Sequence, residues 1–154
     1  MPALSKRRAI INYVITTLKE IDGGVSPYDS SYTFSSRVFN NVFRGASNYE
    51  NINDFPTIQV IAGPERYTYR TLGNTEASLN LLLRCYLYNG DKSLLKAECD
   101  NLIQDIDHVI YKVGTNTLNL HKFNITAVDS DQGLLEDHSI IEVHLLAEYE
   151  LETI

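Results

Sequence analysis

Residues 76–88 read Glu-Ala-Ser-Leu-Asn-Leu-Leu-Leu-Arg-Cys-Tyr-Leu-Tyr, with Ala77, Leu79, Leu81, Leu83, Cys85 and Leu87 at every second position. A period of two puts those side chains on one face of a strand. Ser78, Asn80, Arg84 and Tyr86 take the other face, together with Leu82 and Tyr88. Ser139 to Leu151 repeats the pattern, with Ile141, Val143, Leu145, Ala147, Tyr149 and Leu151 inward and Glu142, His144, Leu146, Glu148 and Glu150 outward. Two long half-apolar strands need backbone partners on their edges and an apolar cover on one face, so they fix a sheet as the centre of the fold.

The cover is predicted in two helices. Leu4 to Ile21 carries Ile11, Val14, Ile15, Leu18 and Ile21 at helical spacing, and Asp22-Gly23-Gly24 stops it with a glycine suited to a left-handed cap. Lys92 to Val113 carries Leu95, Cys99, Leu102, Ile103, Ile106, Val109, Ile110 and Val113, with Lys96, Asp100, Gln104 and Asp107 on the opposite side.

Shorter strands fill in the sheet. Thr57 to Ala62 follows Pro56 and precedes Gly63-Pro64, with Ile58, Val60 and Ala62 on one face. Gly63-Pro64 is read as a sharp turn, after which Glu65 to Arg70 projects as a hairpin or edge strand. Leu118 to Val128 is a further strand, and Arg37 to Arg44 a short one. The fold class is α+β: a mainly antiparallel sheet of four to five strands, packed on one face by two amphipathic helices. A long loop, residues 25–55, follows the first helix within a single domain spanning 1–154.

Composition narrows the function classes. The formal net charge is −7, and no Lys/Arg cluster follows Lys6-Arg7-Arg8, which argues against tight nucleic-acid binding. No apolar run reaches the ~20 residues of a membrane-spanning helix. Polar residues Asn12, Thr16, Thr17 and Lys19 interrupt the first apolar stretch, so it does not read as a signal peptide, and the expected compartment is a reducing cytoplasm. Cys85 and Cys99 then read as buried apolar residues rather than as a disulfide.

Catalytic and metal-binding patterns are absent or incomplete, and no cofactor is expected. There is no nucleophile elbow, P-loop, H-E-x-x-H or C-x-x-C. His138 and His144 are ~20 Å apart along a strand, too far to share a metal. His144 beside Glu142 reads as a solvated pair rather than an acid–base couple. Asp129-Ser130-Asp131-Gln132-Gly133 is turn chemistry; a calcium loop starting there would want Glu at its twelfth position, which is Ile140.

Aromatic residues outside the core periods point to contact with other molecules. Phe34, Phe39, Phe43 and Tyr49 in the loop, and Tyr67 and Tyr69 after Gly63-Pro64, are the candidate assembly-interface residues. The alternative for the loop aromatics is a satellite cluster packed beneath it. Glu142, Glu148, Glu150 and Glu152 form an outward acidic row, either a solvated face or a negative wall that keeps a polyanion from sticking.

The order of elements resembles the tail terminator (tail completion) proteins of long-tailed bacteriophages. The resemblance rests on the opening helix, the loop leading into Asp54-Phe55-Pro56 and Ile58-Gln59-Val60-Ile61-Ala62-Gly63-Pro64-Glu65, the long strand, the second helix, Asp131-Gln132-Gly133 and the closing strand. It implies a non-enzymatic virion protein of the tail–neck region, assembled in the host cytoplasm. Its copies would form a hexameric ring that caps the tail tube protein, ends polymerisation and meets the head completion or connector protein. DNA would pass through without specific binding, and the acidic row would line or flank that channel. A head–tail adaptor or other neck protein, and a cytosolic small-ligand or peptide-binding module, are the alternatives.

Overall fold

The computed structural model describes residues 5–45, 52, 54–69, 75–113, 118–131 and 137–151. In chain order the elements are α1 (Lys6–Leu18), β1 (Val42–Arg44), β2 (Thr57–Tyr69), β3 (Thr75–Tyr88), α2 (Lys92–Val113), β4 (Lys122–Ser130) and β5 (His138–Leu151). The strands form one five-stranded sheet in the order β1-β2-β3-β5-β4. All neighbours are antiparallel except β1 and β2, which run parallel. The α+β class, the mainly antiparallel sheet and the two covering helices therefore stand as expected.

The two alternating strands are the centre. β3 and β5 pair along their whole lengths, from Thr75 opposite Leu151 to Tyr88 opposite His138. Ala77, Leu79, Leu81, Leu83 and Cys85 on β3 face the helices with Ile141, Val143, Leu145, Ala147 and Tyr149 on β5, all at 1% exposure or less. From α1 they receive Ile10, Ile11, Val14 and Leu18, and from α2 Leu102, Ile106 and Val109, all fully buried. Burying such a side chain stabilises by roughly 1.5–3 kcal/mol, so this face holds the layers together.

Three boundaries differ from expectation. Ser5 caps α1, its hydroxyl accepting from the Arg8 N–H at 3.2 Å. The helix ends at Leu18, because Glu20 and Ile21 donate to Thr17 and Leu18 in tighter i→i−3 bonds. Gly23 then takes the left-handed conformation at φ 81°. β4 starts at Lys122 rather than Leu118, after a turn with Asn119 at φ 54°. The strand in Arg37–Arg44 is confined to Val42–Arg44.

The largest correction concerns Gly63-Pro64. The pair does not turn the chain: β2 runs unbroken to Tyr69. Ala62 faces Leu81 while Glu65 faces Leu79, so β2 spends one extra residue there in a bulge. A Cβ on Gly63 would lie 2.8 Å from the Asn80 carbonyl oxygen, so only glycine fits this close approach. The bulge changes parity: Ile58, Val60 and Ala62 face the helices before it, and Glu65, Tyr67 and Tyr69 face that way after it. Among the described residues β1 pairs only with Ile58–Val60, so Glu65–Tyr69 has no described strand opposite β3 and keeps the edge character expected of it; Arg70 lies outside the described residues.

Candidate functional site

The segment after α1 is a docked strap along its described part. Asp22 bridges Arg37, Val25 bridges Thr33, and the Val38 and Phe39 N–H groups donate to the Ile21 carbonyl. Its main anchor is Asp105 on α2, fully buried. The Asp105 carboxylate accepts from the Tyr32 hydroxyl at 2.7 Å, the Ser36 N–H at 2.8 Å and the Ser35 N–H at 3.1 Å. Two further α2 residues continue the clamp: His108 stacks on Tyr32 at 3.8 Å and meets the Ser26 hydroxyl at 2.8 Å, and Lys112 pairs with Asp29 at 3.5 Å. Burial and then the Asp105 carboxylate push the Tyr32 phenol well above its usual range.

This clamp was not foreseen from the sequence, though a signal exists. Asp105 lies three residues after Leu102 and four before Val109, inside the apolar stripe of α2. An acid in such a stripe needs hydrogen-bond donors, and the strap supplies them.

The clamp divides the candidate aromatics. Phe34 is 2% exposed and belongs to the core, so its ring is not presented as a contact surface; Tyr28 and Tyr32 pack against the same core. Phe39 and Phe43 are 55% and 54% exposed, and Tyr67 and Tyr69 are 49% and 81% exposed. Tyr49 lies outside the described residues. Phe39 holds φ 46°, a left-handed backbone uncommon for an aromatic residue.

Glu65, directly after the bulge, joins three elements. Its carboxylate accepts from the Tyr149 hydroxyl at 2.6 Å and pairs with Arg7 of α1 at 3.3 Å, its side chain only 10% exposed. A hydrogen bond to Glu65 also raises the Tyr67 phenol. This carboxylate fastens α1 to the sheet, and no nucleophile–base pair is built around it.

The helix-free face of the sheet holds the acidic row, and the register pairs much of it with cations. Glu142 lies beside Arg84 at 3.5 Å, and Glu148 is opposite Lys122. Glu150 is opposite Glu76, which has His121 at 3.8 Å. The described part of the row is therefore acidic mainly at its Glu150 end, and Glu152 lies outside the described residues. Ile61, Leu82 and Leu146 form an apolar centre on this face, each partly buried.

The histidines are separated. His144 meets Asp129 at 3.2 Å rather than Glu142, and His138 meets Asp137 at 2.8 Å while packing on Phe55 and Tyr88. Asp129 and Ser130 belong to β4 rather than to a turn, and Asp131 accepts from the Ser139 hydroxyl at 2.7 Å and the Ile140 N–H at 3.0 Å; Gln132 and Gly133 lie outside the described residues. Among the described residues no group of three His, Cys, Asp or Glu could hold a metal. Cys85 and Cys99 are free and buried, and burial pushes both thiols up. A cleft of about 270 Å³ between the strap, Phe55-Pro56 and α2 is lined by Arg37, Tyr88, Glu98 and Asn101 among others.

Comparison with known proteins gives the context for these surfaces. The family model of the bacteriophage tail tube terminator protein matches residues 4–154. The tail tube terminator protein of Escherichia phage T5 is 26% identical over 129 residues, covering 76% of this chain and 79% of that protein. A chain from the virion of a native gene transfer agent particle is similar at a TM-score of 0.48 and 12% identity, over 72% of this chain and 79% of that one.

Proposed function

The chain belongs to the bacteriophage tail tube terminator proteins, and on that premise we propose that its copies close into a hexameric ring on the last ring of the tail tube. The ring stops addition of tail tube protein and offers its other side to the head completion or connector protein, at the tail–neck joint of a virion assembled in the host cytoplasm. The role is structural, with no catalytic step, and the chain acts as a single domain. The observation that carries this reading is the family match over residues 4–154; the T5 relative bears the same description.

Exposed aromatics supply the contact chemistry. Phe39, Phe43, Tyr67 and Tyr69 combine large apolar area with little rotamer entropy to lose, as contact residues do. Glu148 and Glu150 flank the channel, where negative charge lets DNA pass without adhering. Native mass spectrometry of the protein, alone and with tail tube protein, tests the ring directly. A six-copy species is expected, and a strict monomer under both conditions would overturn the reading.

A further inference from the structure

We propose that the β4 edge of one copy adds to the β1 edge of the next, so that the five-stranded sheet continues from subunit to subunit. The inference rests on the ring reading and names the surfaces that would make it. β1 and β4 are the two edge strands of the sheet. Among the described residues β4, from Lys122 to Ser130, has β5 as its one strand neighbour, and Thr126 to Ser130 are exposed.

The backbone of β4 offers a template. Asp131 donates to Ile140 at 3.2 Å, so antiparallel alternation makes Asp129 a bonded partner of β5 and turns the Val128 N–H and carbonyl outward. The bulge at Thr126 limits the usable length to the residues after it. On β1, Gly45 donates to Val60 and Ile58 to Asn41, so the Val42 and Arg44 backbone groups face the opposite edge.

A second copy suits these edges better than another occupant does. The molecule carries a net charge of −7, so a self-contact is favoured where acid is scarce. β4 has one Lys and one Asp, and β1 has Arg44 and no acid. Each edge also presents one exposed large apolar residue, Val128 at 39% and Phe43 at 54%. Strand directions agree: β1 runs parallel to β2 and, through β3 and β5, antiparallel to β4, so a neighbour's β1 would lie antiparallel to β4. The row Phe43, Gln59, Arg84, Glu142, Asp129 crosses the sheet in register, so continuing it sets Phe43 of one copy beside Asp129 of the next. Such a contact is head-to-tail, the type that closes rings.

The test combines edge blocking with cross-linking. Val128→Pro removes an N–H that β5 does not use, and Val128→Lys places a charge on the edge; both are followed by circular dichroism and native mass spectrometry. The double variant F43C/D129C is oxidised and run on a non-reducing gel. Folded variants at Val128 that stay monomeric, with a cross-linked ladder from F43C/D129C that stops at the ring size, are the expected result. Rings formed normally by the Val128 variants, rings without a ladder, or dimers cross-linked by D129C alone would overturn the edge contact. In the last case the β4 edges of two copies would be pairing with each other. A wild type that never assembles, even on tail tubes, would instead overturn the ring reading itself.

Discussion

Tyr149 on β5 donates its hydroxyl to Glu65 on β2 at 2.6 Å, although β3 lies between the two strands. In register with Tyr149 the intervening strand places Ala77, and beyond it Tyr67. The small Ala77 side chain leaves the phenol room to reach across. The same carboxylate holds Arg7 at 3.3 Å, so one mostly buried acid binds the start of α1, the bulge of β2 and β5 together. Tyr149→Phe removes the donor and leaves a lone pair of Glu65 without it. We expect a loss of about 1–3 kcal/mol, read from urea unfolding, with assembly intact at low temperature.

The pH dependence follows from three phenols. Burial, aided by Glu20, Asp105 and Glu65 respectively, raises Tyr28, Tyr32 and Tyr149 above the usual tyrosine range. The folded state therefore holds these protons more tightly than the unfolded chain. Their contribution is complete below the unfolded tyrosine pKa of ~10 and is lost as pH rises through the higher folded values. Melting temperature should fall on titration above ~10, and Tyr149→Phe should flatten that fall. An unchanged slope in the variant would show that Tyr149 does not bind its proton more tightly on folding.

Gly63→Ala tests the bulge. The added Cβ would meet the Asn80 carbonyl oxygen at 2.8 Å, a backbone atom that cannot swing aside. Overpacking of this kind costs about 1–3 kcal/mol, seen as a lowered urea midpoint. A variant as stable as the wild type would mean the bulge relaxes without strain.

Asp105→Ala tests the clamp on the strap. It removes the acceptor of the Tyr32 hydroxyl and of the Ser35 and Ser36 N–H groups. The donors are partly or fully exposed and can turn to water, so the loss is about 1–3 kcal/mol in total rather than for each bond. Limited proteolysis within residues 25–36 should accelerate, and hydrogen exchange at Ser35 and Ser36 should lose its protection. Retained protection in the variant would show that the strap is held by other contacts.

The core was legible because it obeys simple periods. The alternation in Glu76–Tyr88 and Ser139–Leu151, and the helical stripe of Lys92–Val113 from Leu95 to Ile110, survive in the structure, with Ile103 and Leu151 partly buried against the core. What the sequence concealed depends on long-range partners. Gly63-Pro64 carries turn residues, yet pairing with β3 on one side turns them into a bulge within a single strand. Phe34 and Phe39 sit five positions apart in the same polar segment, and no local period separates the buried ring from the exposed one. Their fates are decided by Asp105, more than sixty residues away, which pins the strap at Ser35 and Ser36. The charge of the acidic row likewise depends on register, which sets Arg84 and Lys122 beside it.

The contact aromatics separate assembly from folding. Phe39→Ser with Phe43→Ser changes only exposed rings, and surface substitutions usually shift stability by within about 0.5 kcal/mol. Rings should weaken or vanish while the melting temperature stays near wild type. A large drop in melting temperature would place those rings in the core.

The most direct measurement of the central claim is the length distribution of tail tubes grown from tail tube protein, followed by electron microscopy with and without this chain. Termination predicts that added protein sits at one end of each tube as a ring and arrests growth in proportion to the ends occupied. Tubes that lengthen equally in its presence, with no density at either end, would contradict it.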